Sequence, residues 1–201
     1  VSRAASDFSD ALAEKVVQQV FRYLPTCWRS GDNLLAREKM HNASCMAGMA
    51  FTNASLGITH SLAHALGGVF RVPHGRANAI LLPYVIKYNA TKPTKFASFP
   101  KYKEYVADER YAKIARRVGL CDAKTPTQEA VDSLIKAIED LMRATDRPLS
   151  VSACGISEAE FMSKVDELSY KAFEDQCTTA NPVYPLVSEI KELYREAYYG
   201  E

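Results

Sequence analysis

The chain has 201 residues, of which 47% are apolar and 24% are charged. That length suits one globular domain with a core of its own. Its 25 Lys and Arg residues nearly balance its 24 Asp and Glu residues, and the net charge of +1 argues against a nucleic-acid-binding groove. No apolar run approaches the roughly 18 residues of a membrane span. The first ten residues, VSRAASDFSD, lack the basic and apolar parts of a signal peptide. We therefore expect neither a nucleic-acid nor a membrane partner.

The cysteines point to a reducing compartment. There are five of them, an odd number, and none forms a C-x-x-C pair. This pattern predicts free thiols and a cytoplasmic protein. The first residue is Val1 rather than Met, so we expect the chain to be a processed product or a part of a longer polypeptide.

Helical periodicity begins near the start of the chain. Apolar side chains recur at helical spacing over residues 6–24. Ser9 or Asp10 could cap this helix, and Pro25 is expected to end it. A second helical run, rich in Ala, Gly and Ser, begins near Leu34, and its small side chains would let neighbouring backbones approach closely.

The middle of the chain predicts two further helices joined by a turn. A short third helix is expected to end at Gly67 and Gly68, in the usual position of a left-handed cap. Pro73 then stops or turns the chain. Residues 78–89 are apolar on nearly all faces, which predicts a buried helix, and Pro83 predicts a kink or a break within it.

The last part returns to amphipathic helix after a proline-containing loop at residues 90–103. Thr125 is a candidate cap for a helix over residues 128–144, and Ser157 begins a capping box for the next helix. A final helix is expected over residues 186–198. The sequence has no strand pattern and no common phosphate-binding loop. These observations predict an all-α, bundle-like fold.

The strongest candidates for a functional site are three histidines. His60 and His64 are four residues apart, so a helix would place them on one face. His74 follows after the predicted turn and could return to that face. Three converging imidazoles would suit a divalent metal. A histidine pair at this spacing is also common at surfaces and in helix packing, and both interpretations stay open at this point.

Two absences limit the class of metal site. Ser61 stands where H-E-x-x-H would have Glu, which excludes the ordinary zinc-protease interpretation. No Asp or Glu lies within residues 51–84, so a carboxylate ligand would have to come from elsewhere. The fourth histidine, His41, fits no ligand set and is expected to be structural.

The histidine segment resembles the signature of the iron-dependent alcohol dehydrogenase family. The matching pattern is G-x-x-H-x-x-A-H-x-x-G followed by P-H-G, N-A and L-P, which here is Gly57, His60, Ala63, His64, Gly67, Pro73, His74, Gly75, Asn78, Ala79, Leu82 and Pro83. The similarity extends from about Ser6 to Gly200. It is greatest to the dehydrogenase part of the bifunctional aldehyde-alcohol dehydrogenases.

This resemblance implies a specific site. It assigns residues 1–201 to the helical C-terminal half, whereas NAD is bound mainly by an N-terminal α/β half that this chain lacks. Ferrous iron would be held by one Asp and three His, two of which correspond to His60 and His74. His64 would lie beside the nicotinamide, in proton relay or substrate contact. Cys177, in the motif D-x-C-T-x-x-N-P at residues 175–182, would line the same cavity. Phe51 would form an aromatic wall of the substrate pocket.

The expected activity is interconversion of a short aldehyde, such as acetaldehyde, and its alcohol by hydride transfer. Zinc is an alternative to iron because imidazole suits both metals. With two ligands and no NAD site, the isolated chain is expected to be inactive unless it assembles with the missing half. A helical assembly module that self-associates without chemistry is the alternative. A regulatory metal sensor is a third and weaker one.

Overall fold

The computed structural model describes residues 1–93 and 105–200, and these residues form α-helices and short 3-10 turns without a β-strand. The all-α prediction is confirmed for this part of the chain. In order, the helices are α1 (Asp7–Arg29), α2 (Leu34–Ala54), α3 (Ile58–Phe70), α4 (His74–Ala90), α5 (Ala107–Arg117), α6 (Thr127–Ala144), α7 (Glu158–Glu174) and α8 (Val187–Tyr199). Within the two described ranges, every helix is too short or too polar to cross a membrane.

Helix α4 lies at the centre of the fold, as its apolar sequence predicts. Ile80, Leu81 and Val85 belong to a buried cluster shared with α3, α7 and α8. Ile86 and Ala90 belong to a second buried cluster shared with α5 and α6. Burial of apolar side chains is the main favourable contribution to folding. Because α4 packs into both clusters, the first turn that carries His74 is firmly held.

Both internal prolines are accommodated within helices. Pro25 was expected to end the first helix, but α1 continues to Arg29, whose Nε donates to the Pro25 carbonyl over 3.2 Å. The predicted break at Pro83 does not occur, since α4 runs from His74 to Ala90. A proline removes one backbone hydrogen bond. In α4 the burial on both sides outweighs that loss.

The glycine cap predicted for α3 is also wrong. The helix runs past Gly67 and Gly68 to Phe70, and the left-handed residue is Arg71, with φ of 58°. Gly67 has a different role, because a Cβ atom there would lie 3.0 Å from the carbonyl oxygen of Val72. The glycine therefore permits the chain to fold back closely after α3.

Three helix starts test the predicted caps. Helix α1 is capped by Ser6, which forms a reciprocal pair of bonds with Ser9, and not by Ser9 or Asp10. Helix α6 begins after Pro126 rather than after Thr125, whose carbonyl oxygen instead accepts the Arg116 guanidinium. The Ser157 cap is confirmed, since its hydroxyl accepts the backbone N–H of Glu160.

Helix α5 had no predicted counterpart. Its acidic first turn contains Asp108 and Glu109, and its basic last turn contains Arg116 and Arg117, which is the favourable orientation for the helix dipole. Most of the predicted loop at 90–103 lies outside the described residues. The second helix and the helix after residue 126 are confirmed to within one residue of their predicted starts.

Candidate functional site

The three histidines come from two consecutive helices. His60 and His64 lie one turn apart on α3, and His74 is the first residue of α4. The backbone N–H of Arg71 donates to the Gly67 carbonyl over 2.9 Å, which closes the end of α3 before the chain reverses. The predicted return of His74 to the face of the other two histidines is therefore seen in the structure.

The imidazoles of His60, His64 and His74 form a compact triangle. Ring centroids lie 5.2 Å apart for His60 and His74, 5.2 Å for His64 and His74, and 6.1 Å for His60 and His64. One ligand nitrogen from each ring lies within 4.8 Å of the other two. His64 and His74 are exposed and His60 is half-buried, so this triangle opens to the surface. Such spacing would allow one small cation to contact more than one ring.

The half-buried ring of His60 favours its neutral form. Burial, followed by the neighbouring His74 and His64, lowers its pKa from 6.5 to about 4. Its Nδ1 atom is buried and has no hydrogen-bond partner in the described part of the chain. Buried polar atoms are rarely left without a partner. A neutral imidazole is the form that binds metal ions, so His60 has the charge state of a ligand.

His64 is paired with an aspartate that the sequence analysis did not single out. Its Nδ1 lies 2.9 Å from Oδ2 of Asp175. Partial burial of Asp175 opposes ionisation, but hydrogen bonds from the Cys177 backbone and from His64 lower the pKa of its carboxyl below the usual value. The carboxylate therefore stays charged beside His64. The D-x-C part of the motif around Cys177 was the available signal, although spacing alone could not relate it to His64.

Cys177 lies beside this pair, and its thiol stays protonated near neutral pH. Its side chain is buried, and burial together with the Asp175 carboxylate raises the pKa of its thiol to about 11. One ligand atom each from His64, Asp175 and Cys177 also lie within 4.8 Å. Because a metal ligand must be the thiolate, this second group is poorly suited to metal binding near neutral pH. Cys177 thus forms an apolar wall next to His64.

Phe51 lies near the end of α2 and is 48% exposed. It lines a cavity of about 370 Å³ together with Thr59, which precedes His60, and with Asn181. The cavity lies between the helix pair α1–α2 and the start of α3. Phe51 is therefore a wall of a cavity at the start of α3, and the three histidines are not among the residues that line this cavity.

Asn181 belongs to the same motif as Cys177, but the sequence predicted no role for it in the site. Its buried Oδ1 accepts the backbone N–H of Ile58 at the start of α3, and its amide exchanges hydrogen bonds with the Asn89 amide. A Cβ atom at Gly57 would lie 2.9 Å from that same Oδ1. Gly57 of the motif is therefore required for Asn181 to cap the helix that carries His60 and His64.

The family model described as "Fe-containing alcohol dehydrogenase family, C-terminal" matches residues 1–198 of the chain. This chain belongs to that family. Both the proposed resemblance and the helical C-terminal assignment are confirmed.

Relatives within the Fe-containing alcohol dehydrogenase family are much longer than this chain. The aldehyde-alcohol dehydrogenase of Streptococcus pneumoniae (D39) is 48% identical over the whole chain, which covers 22% of its length. The bifunctional aldehyde-alcohol dehydrogenase AdhE of Escherichia coli K12 is 45% identical, again over the whole chain and 23% of its own length. The chain thus spans about a fifth of the length of these relatives.

Solved structures of the Fe-containing alcohol dehydrogenase family share the same helical arrangement. The iron-containing alcohol dehydrogenase of Thermococcus thioreducens matches the whole chain with a TM-score of 0.82 and 36% identity. This chain covers 47% of that structure. The eight helices of the described residues therefore correspond to about half of that structure.

Proposed function

We propose that residues 1–201 form the helical, metal-binding domain of an NAD-dependent alcohol dehydrogenase that interconverts a short aldehyde, such as acetaldehyde, and its alcohol, such as ethanol. The convergence of His60, His64 and His74 at the α3–α4 turn carries this proposal. Longer relatives named as aldehyde-alcohol dehydrogenases support it. We propose that a nucleotide-binding half, outside this chain, binds most of the NAD.

The residues present fit a transition-metal ion. His60 and His74 would hold the metal, because His60 is kept neutral and its buried Nδ1 lacks a partner in the described residues. Two imidazoles are half of a tetrahedral set, and the exposed side of the triangle leaves room for ligands from the other half. Ferrous iron is the proposed ion and zinc the alternative, since imidazole binds both. When bound, the ion would polarise the oxygen of the aldehyde or alcohol.

The other site residues bind, exclude water and move a proton. His64 would exchange the hydroxyl proton of the alcohol with solvent. Its exposed ring is hydrogen-bonded to Asp175 through Nδ1, so Nε2 is the nitrogen that would carry this proton. Cys177, as a neutral buried thiol, would form a wall toward the nicotinamide. Phe51 would form a wall of the substrate cavity. Apolar walls exclude water and strengthen polar interactions in the site.

A second proposal is that the domain also self-associates. Helices α1 and α2 present exposed apolar side chains, among them Phe8 (60% exposed) and Leu34 (81% exposed). Contiguous apolar patches mark protein–protein interaction sites, and we propose that these side chains contact a second copy of the chain.

The five cysteines are free thiols, which supports a reducing, cytoplasmic environment.

The proposal is tested in a chimera, in which this chain replaces the matching region of the Escherichia coli relative. Elemental mass spectrometry of the anaerobically purified chimera should find one iron or zinc per chain. The metal should be lost in His60→Ala and His74→Ala and retained in His41→Ala, a matched control because His41 is an exposed histidine outside the triangle.

Turnover is then measured as acetaldehyde-dependent oxidation of NADH. Activity is expected for the parent chimera and for His41→Ala, and should be lost in the two ligand variants. A folded chimera that binds metal without turnover would favour the assembly alternative. Metal retained in both ligand variants would reject the site.

A further inference from the structure

We propose that Asp175 is a positioning residue, which holds His64 with a proton on Nδ1 and leaves Nε2 as the basic nitrogen for the substrate. The observation behind it is the contact between Oδ2 of Asp175 and Nδ1 of His64, at 2.9 Å. The two residues are 111 positions apart in the chain. This inference rests on the proposed function of His64 for its meaning, but the bond itself is testable in this chain alone.

The Asp175 carboxylate is fixed by contacts that do not involve His64. Its Oδ1 accepts the backbone N–H of Cys177 over 2.8 Å and lies 3.3 Å from the hydroxyl of Ser61. The same carboxylate caps the 3-10 turn Gln176–Ala180. The Ser61 hydroxyl is in turn 2.8 Å from the hydroxyl of Thr178, which is buried in that turn. Because one oxygen is bound to the backbone, the other is held toward His64.

An ionised carboxylate can only accept hydrogen bonds, so the nitrogen that faces it must carry the proton. In neutral His64 this leaves the lone pair on Nε2. At the neighbouring ring of His74, Nδ2 of Asn78 lies 3.0 Å from Nε2 and also donates to the His74 backbone carbonyl over 3.1 Å. The Asn78 amide is neutral, whereas the group that faces Nδ1 of His64 is a carboxylate. Asp175 therefore selects the tautomer of His64 through a charged acceptor.

The consequence for the proposed reaction is a defined path for one proton. As the alcohol is oxidised, a hydride from its C–H bond would pass to the NAD of the proposed function, while its O–H bond breaks and an Nε2–H bond forms on His64, which becomes an imidazolium. The adjacent Asp175 carboxylate stabilises that positive charge, as carboxylate–imidazole pairs do in other enzymes. In the reverse direction the imidazolium returns the proton to the alkoxide oxygen.

The experiment measures the tautomer of His64 directly. Long-range ¹H–¹⁵N correlation spectra of the ¹⁵N-labelled chain are recorded at about pH 8.5, where imidazoles are ordinarily neutral. His64→Gln identifies the signals. We expect the Nδ1–H tautomer in the unmodified chain and a mixture of tautomers in Asp175→Asn. Asn is also a good capping residue, so this variant should keep the 3-10 turn while it removes the fixed charge.

Asp146→Asn is the matched control. Asp146, in the turn after α6, also accepts a hydrogen bond from a ring N–H, that of Trp28 at 3.2 Å. It should leave the His64 spectrum unchanged. In the chimera, Asp175→Asn should lower kcat by roughly 10-fold or more with little change in KM, and Asp146→Asn should change neither.

Each outcome bears on one claim. An Nε2–H tautomer in the unmodified chain would overturn the positioning role, whether or not the variants fold. An Asp175→Asn spectrum identical to that of the unmodified chain would do the same. If the tautomer changes as expected but the chimera turns over normally, Asp175 positions His64 without a role in the reaction, which overturns the catalytic consequence alone. A chimera without any turnover would reject the proposed function and leave the tautomer result standing.

Discussion

Removal of the Asn181 side chain should be among the most damaging single changes to this domain. The residue is 1% exposed, and its amide makes four hydrogen bonds to three residues. Oδ1 accepts from the Ile58 backbone and the Asn89 amide, each over 3.2 Å. Nδ2 donates to Oδ1 of Asn89 over 2.7 Å and to the Val183 carbonyl over 2.6 Å. Asn181→Ala removes all of these bonds together.

The expected loss can be worked from the groups left behind. The Ile58 N–H, the Asn89 amide and the Val183 carbonyl would each lose a partner in a buried environment. A buried polar group without a partner costs roughly 1–3 kcal/mol. Asn89 keeps a contact of 3.3 Å to the Tyr111 hydroxyl, and water could enter the vacated space, so we expect a total loss of about 3–5 kcal/mol.

Urea denaturation followed by far-UV circular dichroism measures this loss as a change in midpoint at constant slope. Asn53→Ala is the control, because the Asn53 side chain is exposed and donates to the Met49 carbonyl one turn earlier in its own helix. Its effect should stay within about 0.5 kcal/mol. The double variant Asn89→Ala, Asn181→Ala should lose less than the sum of the single changes, since fewer groups are left unpaired. A loss below about 1 kcal/mol for Asn181→Ala would refute the reasoning.

Three further predictions concern the core and the histidine helix. The pKa of His60 is lowered from its usual 6.5 to about 4 in the folded chain, so the unfolded chain binds the proton more readily. The contribution of neutral His60 to the unfolding free energy should therefore be fully present above pH 6.5. It should fall by about 1–2 kcal/mol toward about pH 4, after allowance for solvent screening. Urea titrations in which His60→Gln loses the same stability at acid pH would contradict this. Gly67→Ala should destabilise the domain by about 1–3 kcal/mol, because its Cβ would meet the Val72 carbonyl. Gly68→Ala is the control and should be neutral or stabilising, because a Cβ there would meet nothing within 4 Å. Equal melting temperatures for the two variants would count against the close approach at Gly67. Phe161→Ala, at a fully buried ring, should cost about 3–5 kcal/mol in the same urea assay, and a cost below about 1 kcal/mol would mean that the ring is not in the core.

Local periodicity was sufficient to predict the helical class and most helix positions. Helices α2 and α4 follow from patterns that a short window contains, and so does the approach of His74 to the other two histidines. The errors at Pro25 and at Gly67 have a shared cause. Proline and glycine are strong local signals for a helix end, but packing on neighbouring helices decides whether the helix continues.

The residues that organise the site were beyond local patterns. Asp175 meets His64 across 111 positions, and Asn181 meets Ile58 across 123 positions. No helical or strand period relates residues so far apart, and each pairing exists only because α7 and the following turn pack on α3. The motif around Cys177 contains Asp175 and Asn181, but their partners are defined only once the chain is folded.

The small side chains of α2 have a consequence for how the domain opens. Its buried residues are Ala36, Ala43, Ala50 and Ala54, of which the first three recur every seven residues, and the buried residue of α1 is Ser9. A seven-residue repeat of alanine lets two helices pack closely, but each contact removes little apolar area from water. The α1–α2 pair should therefore detach as one cooperative unit at a free energy well below that of global unfolding. In native-state hydrogen exchange its amide protons would be replaced by deuterium before those of α3 and α4.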